Sequence, residues 1–154
     1  MKVLFLDIDG VWNDHTPHKN GYCGIDPLKA SLLDFVVGET NCKIVLASAW
    51  RYLILNGGMT LAGFKNMLLT HGVPKRTVDA VDSYLPADVN INDPHDRGKL
   101  AQEWLRSFRT VTTFAAVDDL ECGYREVGIP FVRTDGEKGL RPHDVYELVK
   151  MLNR

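Results

Sequence analysis

The chain has 154 residues, of which 45% are hydrophobic and 25% are charged, with a formal net charge of −2. A chain of this length is expected to fold as a single domain, here residues 1–154, that buries roughly 70% of its unfolded surface. The composition is that of a globular protein, which excludes the disordered, collagen-like and low-complexity classes. A net charge near zero also argues against a protein that coats nucleic acid by bulk electrostatic attraction.

Apolar patterning predicts that strands and helices alternate from the start of the chain. The first strand covers residues 3–6, because this continuous apolar run is too short for a helix. A helix follows from Pro27, since proline suits the first helical turn. A second buried strand is predicted at 43–47. Thr60 can cap the next helix, and β-branched residues then predict a third strand at 77–81.

The second half of the chain continues this alternation. Residues 100–108 carry their apolar side chains on one helical face, and strands are predicted at 111–117 and 130–132 before a last helix from Pro142. Continuous apolar strands separated by amphipathic helices indicate a parallel sheet that is covered on both faces. The expected fold is therefore α/β, a three-layer doubly wound sheet of about five parallel strands. Trp50 and Trp104 are expected in the core.

The cysteines and the apolar runs indicate the cellular setting. The three cysteines stand far apart without a CxxC pair, which is typical of neither a disulfide framework nor a zinc site. This usage favours a reduced, cytoplasmic environment. Asp7 interrupts the N-terminal apolar run before a signal sequence is complete. No window approaches the roughly 20 apolar residues that span a bilayer, so no membrane partner is expected.

Polar and charged residues follow the predicted strands, where doubly wound sheets bind their ligands. The first strand is followed by an acidic pair, the second by a hydroxyl and a cation, and the fourth by a second acidic pair. Two further cations open the helix that leads into the fourth strand. These residues are Asp7 and Asp9, Ser48 and Arg51, Asp118 and Asp119, and Arg97 and Lys99.

Four carboxylates at one sheet edge repel one another, and they stay ionised at neutral pH only with a positive charge among them. A hard divalent cation with oxygen ligands meets this need, and Mg²⁺ commonly shares its coordination shell with a phosphate. A serine hydroxyl and a lysine or arginine supply the donor and the charge that a phosphoryl group requires. A carboxylate in the same site can attack phosphorus. The residues therefore predict metal-assisted phosphoryl transfer.

Four short motifs, LFLDIDG, IVLAS, DRGKLAQEWL and AAVDDLE, occur in this order along most of the chain. In their order and their positions at element ends they resemble the four motifs of the haloacid dehalogenase (HAD) superfamily of phosphohydrolases. The sequence SAWR after the second strand is further similar to small, minimally capped members, including HAD modules of nucleic-acid repair proteins. The resemblance implies Mg²⁺ as cofactor and an aspartyl-phosphate intermediate.

The resemblance also implies a role for each matching residue. Asp7 is expected to be the nucleophile, and Asp9 to protonate the leaving oxygen and then to activate water. Their two-residue spacing places both on the same face of a strand. Ser48 is expected to hydrogen-bond a phosphoryl oxygen. The expected metal ligands are Asp7, the backbone carbonyl of Asp9, Asp118 and, directly or through water, Asp119.

The third motif departs from the family pattern, in which lysine directly precedes glycine at the start of the helix. Arg97 holds that position here, and Lys99 follows the glycine. Either cation could reach the phosphate from the first helical turn, and we favour Lys99 because the family residue is almost always lysine. Arg51 either faces the phosphate or pairs with an acid.

Inserted cap domains largely determine substrate choice in this superfamily. The segments that follow Gly10 and Ser48 are short, so we expect a minimal cap and an open site, with His15 and His18 as candidate substrate contacts. The expected partner is a phosphorylated substrate, either a nucleotide or a nucleic-acid terminal phosphate. A phosphoprotein or a small metabolite is the alternative.

A catalytically idle, receiver-like binding domain is an alternative from a different class. Receiver modules also gather aspartates, a hydroxyl and a lysine on a parallel sheet. Their acidic pair, however, follows the first strand, whereas the adjacent pair Asp118 and Asp119 comes late in this chain. The order of the motifs therefore favours the phosphatase.

Overall fold

A computed structural model describes residues 1–13, 24–90, 93 and 96–154 of the chain. Its strands form one five-stranded, all-parallel sheet, which confirms the predicted α/β architecture. The strands are β1 (Lys2–Leu6), β2 (Lys43–Leu46), β3 (Val81–Tyr84), β4 (Thr113–Asp118) and β5 (Phe131–Arg133).

Helices cover both faces of the sheet, and their starts follow from local sequence. The side chain of Asp26 accepts a hydrogen bond from the Leu28 amide, and that of Thr60 accepts one from the Gly63 amide at 3.0 Å. None of the helices in the described ranges is long and apolar enough to cross a membrane. They are α1 (Pro27–Thr40), α2 (Tyr52–Leu55), α3 (Leu61–Thr70), α4 (Lys75–Ala80), α5 (Asp96–Ser107) and α6 (Pro142–Leu152), and a 3₁₀ turn (Ala49–Arg51) precedes α2.

The core consists of two apolar layers, one on each side of the sheet. Because side chains alternate along a strand, Leu4 and Leu6 of β1 face one layer and Val3 and Phe5 face the other. The first layer includes residues of α1, α3, α4 and α6. The second is covered by α5, whose Trp104 packs edge-on against Phe5 with the ring centroids 5.7 Å apart.

The third strand begins later than its β-branched residues predict. The prediction of a strand at 77–81 is wrong, because α4 extends to Ala80 and β3 begins at Val81. The Thr77 hydroxyl donates a 2.8 Å hydrogen bond to Asp34 of α1, and Arg76 pairs with the same carboxylate. These contacts with α1 outweigh the preference of β-branched residues for strands.

The strand order is β3-β2-β1-β4-β5, so β1 lies at the centre and the order reverses beside it. Receiver modules have a different order, with the second and third strands on either side of the first. Ligands bind at the carboxyl ends of the strands where the order reverses. The ends of β1, β2 and β4 therefore define the region in which a functional site is expected.

Candidate active site

The two central strands bring the acidic residues together. Leu6 and Val117 are partners in the β1–β4 register, and the Asp7 amide donates a 3.0 Å hydrogen bond to the Val117 carbonyl. Asp118 is the last residue of β4. The pairing of these parallel strands thus places Asp7 beside Asp118, although the two residues are far apart in sequence.

Three carboxylates form a compact group at this edge. One oxygen each of Asp7, Asp118 and Asp119 lies within 4.8 Å of the others. Asp7 and Asp118 are buried, with exposed fractions of 4% and 0%. Gly10 makes the approach of Asp119 possible, because a Cβ at Gly10 would lie 2.6 Å from the Asp119 Cγ and its φ of +74° is unfavourable for other residues.

Burial and mutual repulsion disfavour the ionised form of the buried carboxylates in this group. Burial raises the pKa of Asp7 well above its usual value, and the neighbouring Asp118 raises it further. Burial also raises the pKa of Asp118, although Arg97 opposes the shift. Three carboxylates and one guanidinium leave two negative charges, which is the charge that a divalent cation neutralises. The donor set consists of oxygens only and therefore fits a hard cation such as Mg²⁺.

The Asp9 carboxylate lies outside this three-carboxylate group and has two hydrogen-bond donors of its own. Its Oδ2 accepts from Trp50 Nε1 at 3.0 Å, and its Oδ1 accepts from Asn13 Nδ2 at 3.0 Å. Asn13 is oriented in turn, because its Oδ1 accepts from the Gly10 amide at 2.8 Å. The carboxylate is thus held in one orientation, as an acid–base group requires. The metal contact through the Asp9 backbone carbonyl stays a prediction.

Neither donor to Asp9 was predicted from the sequence. Trp50 was expected in the core; it is half-buried and packs against the core while its indole N–H reaches Asp9. Asn13 follows Asp9 by four residues, and an amide so near is a signal for a local side-chain bond.

Ser48 is buried and follows β2, the strand that pairs with β1. The Ser48 amide donates a 3.3 Å hydrogen bond to the carbonyl of Leu6, the residue that precedes Asp7. The Ser48 Oγ accepts a hydrogen bond from the Trp50 amide at 3.2 Å. A hydroxyl has one proton and two lone pairs. Because the bond to Trp50 uses a lone pair, the proton of Ser48 can still be donated to a phosphoryl oxygen.

The structure brings Arg97 to the carboxylates, and not the favoured Lys99. Arg97 Nη1 lies 3.3 Å from Asp7 Oδ1 and 2.8 Å from Asp118 Oδ2. Burial opposes its positive charge, but the attraction of both carboxylates outweighs burial and raises the pKa of Arg97. The Lys99 side chain is 63% exposed, and its Nζ lies 4.0 Å from Asp96.

Arg51 pairs with an acid, the second of its two expected alternatives. Its fully buried guanidinium bonds Asp88 at 2.7 Å and the backbone carbonyls of Ala47, Ser48 and Pro86. These bonds fix the turn that carries Ser48. The structure therefore gives Arg51 a positioning role instead of the predicted phosphate contact.

The candidate substrate contacts His15 and His18 lie outside the described residues.

The comparison with protein families agrees with this geometry. A family model described as "HAD domain in Swiss Army Knife RNA repair proteins" matches residues 3–145, a span that contains all four motifs. No curated protein and no solved structure matches the chain. The resemblance inferred from the motifs is confirmed by the family match and by the parallel sheet. The chain therefore belongs to the HAD superfamily of phosphohydrolases, in the family of HAD domains of Swiss Army Knife RNA repair proteins.

Proposed function

We propose that this protein is a Mg²⁺-dependent phosphatase that hydrolyses a phosphomonoester through an aspartyl-phosphate on Asp7. The observation that carries the proposal is the group of three carboxylates within 4.8 Å of one another at the switch point of the sheet. Asp9 lies two residues from Asp7 and is oriented by two donors. A nucleophile beside an oriented acid–base group is the pair that this reaction needs.

The reaction uses the chain's own residues in two steps. An oxygen of Asp7 attacks phosphorus, the bond from phosphorus to the ester oxygen breaks, and Asp9 donates a proton to that oxygen. Asp9 then takes a proton from water, whose oxygen attacks the phosphorus of the aspartyl-phosphate and restores the Asp7 carboxylate. Ser48 and Arg97 donate to phosphoryl oxygens in both steps.

Asp7, Asp118 and Asp119 would hold the metal ion. When bound, Mg²⁺ neutralises negative charge shared by the carboxylates and the phosphoryl oxygens. Without a cation, the raised pKa values of Asp7 and Asp118 favour protonation, and a protonated Asp7 is a weak nucleophile.

The proposed substrate is a nucleotide or the phosphorylated end of a nucleic acid. The family is that of domains in RNA repair proteins, which supports a nucleic-acid phosphate. The helices between β2 and α5 also support an open site, because Phe64 and Leu68 of α3 and Val78 of α4 pack into the core of the sheet. Net charge does not oppose this substrate, because Arg97 and the metal ion supply attraction locally.

The Asp7→Asn substitution tests this proposal. Turnover of phosphorylated nucleotides and oligonucleotides should fall by about a thousandfold or more, because an amide cannot act as the nucleophile. The free energy of unfolding should stay the same or rise, since the change relieves repulsion from Asp118. Phosphate release and denaturant unfolding measure the two effects.

Asp82→Asn is the matched control. Asp82 is exposed and lies on β3, the edge strand that β2 separates from β1. This substitution should leave turnover unchanged. Retained activity in Asp7→Asn would rule out the nucleophile assignment. A panel that adds sugar phosphates and phosphopeptides identifies the substrate class.

A further inference from the structure

An apolar groove of about 690 Å³ lies next to the proposed acid–base residue. It runs between the 3₁₀ turn after Ser48, α2 and α3. Within the described part of the chain, none of its lining residues carries a charge. They include Trp50, Tyr52, Leu53, Asn56, Met59 and Met67.

Trp50 joins this groove to the site. Its ring lines the groove, while its Nε1 donates the 3.0 Å hydrogen bond to Asp9. In the proposed reaction Asp9 protonates the ester oxygen, so the leaving group extends from the phosphate on the side of Asp9. The same indole that bonds Asp9 is a wall of the groove. A leaving group that extends past Asp9 therefore approaches a groove whose lining is uncharged and largely apolar.

The chemistry of the lining selects among leaving groups. A sugar phosphate would bring hydroxyls, and a phosphoserine peptide backbone amides, against Leu53, Met59 and Met67, whose side chains donate no hydrogen bonds. A nucleobase is flat and uncharged, stacks on an indole, and can use its polar edge with an amide such as that of Asn56.

We propose that the groove seats the base of the nucleotide from which the phosphate is removed. This inference rests on the proposed phosphatase function. It identifies the base as the part of the substrate that the protein recognises. Leu53, Met59 and Met67 then act on substrate choice and take no part in the chemical step.

A matched pair of substrates tests the inference in the full chain with Mg²⁺. One is a short oligonucleotide with a phosphate on its terminal nucleotide, and the other carries an abasic terminal nucleotide with the same phosphate. The 5′-phosphates and 3′-phosphates are compared separately. The wild type should prefer the substrate with the base by about tenfold or more in kcat/KM, since stacking of one base is lost in the other.

Leu53→Ala should reduce this preference by at least about threefold through KM, because it removes apolar wall area. Its kcat/KM on the abasic substrate should fall less than its kcat/KM on the substrate with the base. Leu69→Ala is the control, since Leu69 has nearly the same exposed fraction (42% against 41%) and does not line the groove. Met67→Ala provides a second groove variant, and the melting temperature confirms that each variant is folded.

The outcomes distinguish a failure of the nucleobase assignment from a failure of the proposed phosphatase function. Equal turnover of both substrates by the wild type, or equal behaviour of Leu53→Ala and Leu69→Ala, would overturn the nucleobase assignment and leave the phosphatase intact. A preference for phosphopeptides would overturn it as well. Absence of turnover on every phosphomonoester would overturn the proposed function and this inference together.

Discussion

At the scale of single residues, the site depends on side chains that hold other side chains. Trp50 and Asn13 each donate one hydrogen bond to Asp9, and Arg51 fixes the turn that carries Ser48. Such positioning residues set the orientation of the reacting groups, and a small displacement of those groups lowers the reaction rate strongly.

Trp50→Phe should lower kcat by about tenfold, because a hydrogen bond to a charged group contributes about 1.5 kcal/mol. KM should change little, since the aromatic ring remains in the groove. Steady-state kinetics on a phosphorylated nucleotide measures both constants. If kcat is unchanged, the indole N–H does not position Asp9.

Trp104→Phe is the matched control on the opposite face of the sheet. Trp104 stacks on Phe108 with the ring centroids 4.1 Å apart and packs edge-on against Phe5. Loss of part of its ring should destabilise the fold by about 1–3 kcal/mol without a change in kcat.

At the scale of elements, the start of α5 determines which cation enters the site. The Gly98 amide donates a 2.8 Å hydrogen bond to the Cys122 carbonyl, and a Cβ at Gly98 would overlap the backbone of Gly123. This close approach locks the first turn of α5 against the loop after β4. In that orientation Arg97 faces the carboxylates and Lys99 faces solvent.

Gly98→Ala should therefore destabilise the protein by about 1–3 kcal/mol, because backbone atoms have to move. It should also reduce turnover, since the movement displaces Arg97. Gly63→Ala is the control at the same position of α3, where a Cβ would meet Met59 and Thr60 at an ordinary 3.5 Å. That variant should gain up to about 1 kcal/mol from helix propensity and keep full activity. Identical effects of the two substitutions on unfolding and turnover would contradict the locked contact.

At the scale of the whole molecule, metal binding and folding should be coupled. The three carboxylates meet only in the folded chain, so Mg²⁺ should raise the free energy of unfolding, by about 2.7 kcal/mol at a hundred times its Kd. The gain should decrease as the pH falls, because burial raises the pKa of Asp7 and Asp118 and protons then compete with the metal.

Denaturant unfolding with Mg²⁺ and with a chelator measures this coupling. Asp118→Asn should lose most of the gain, whereas Asp82→Asn should keep it. An equal gain in both variants would mean that the cation binds elsewhere.

Most of the fold could be predicted from the sequence because β1, β2 and β4 are continuous apolar runs, and Asp7 and Asp118 follow such runs directly. Tertiary contacts decided the rest. Thr77 is helical because it bonds Asp34, which lies in another element. The choice of Arg97 over Lys99 depends on the contact of Gly98 with the loop after β4, which no local pattern encodes.

The central position of β1 has a consequence for biosynthesis. β1 precedes the other strands along the chain, yet it pairs with β4, so that Lys2 is the register partner of Thr113. During translation one edge of β1 stays open until β4 has been made, and such nonlocal pairing is slow and prone to aggregation. Asp7 and Asp118 meet at the same step. A nascent chain that ends before β4 therefore lacks the assembled carboxylate group and is a candidate client for chaperones.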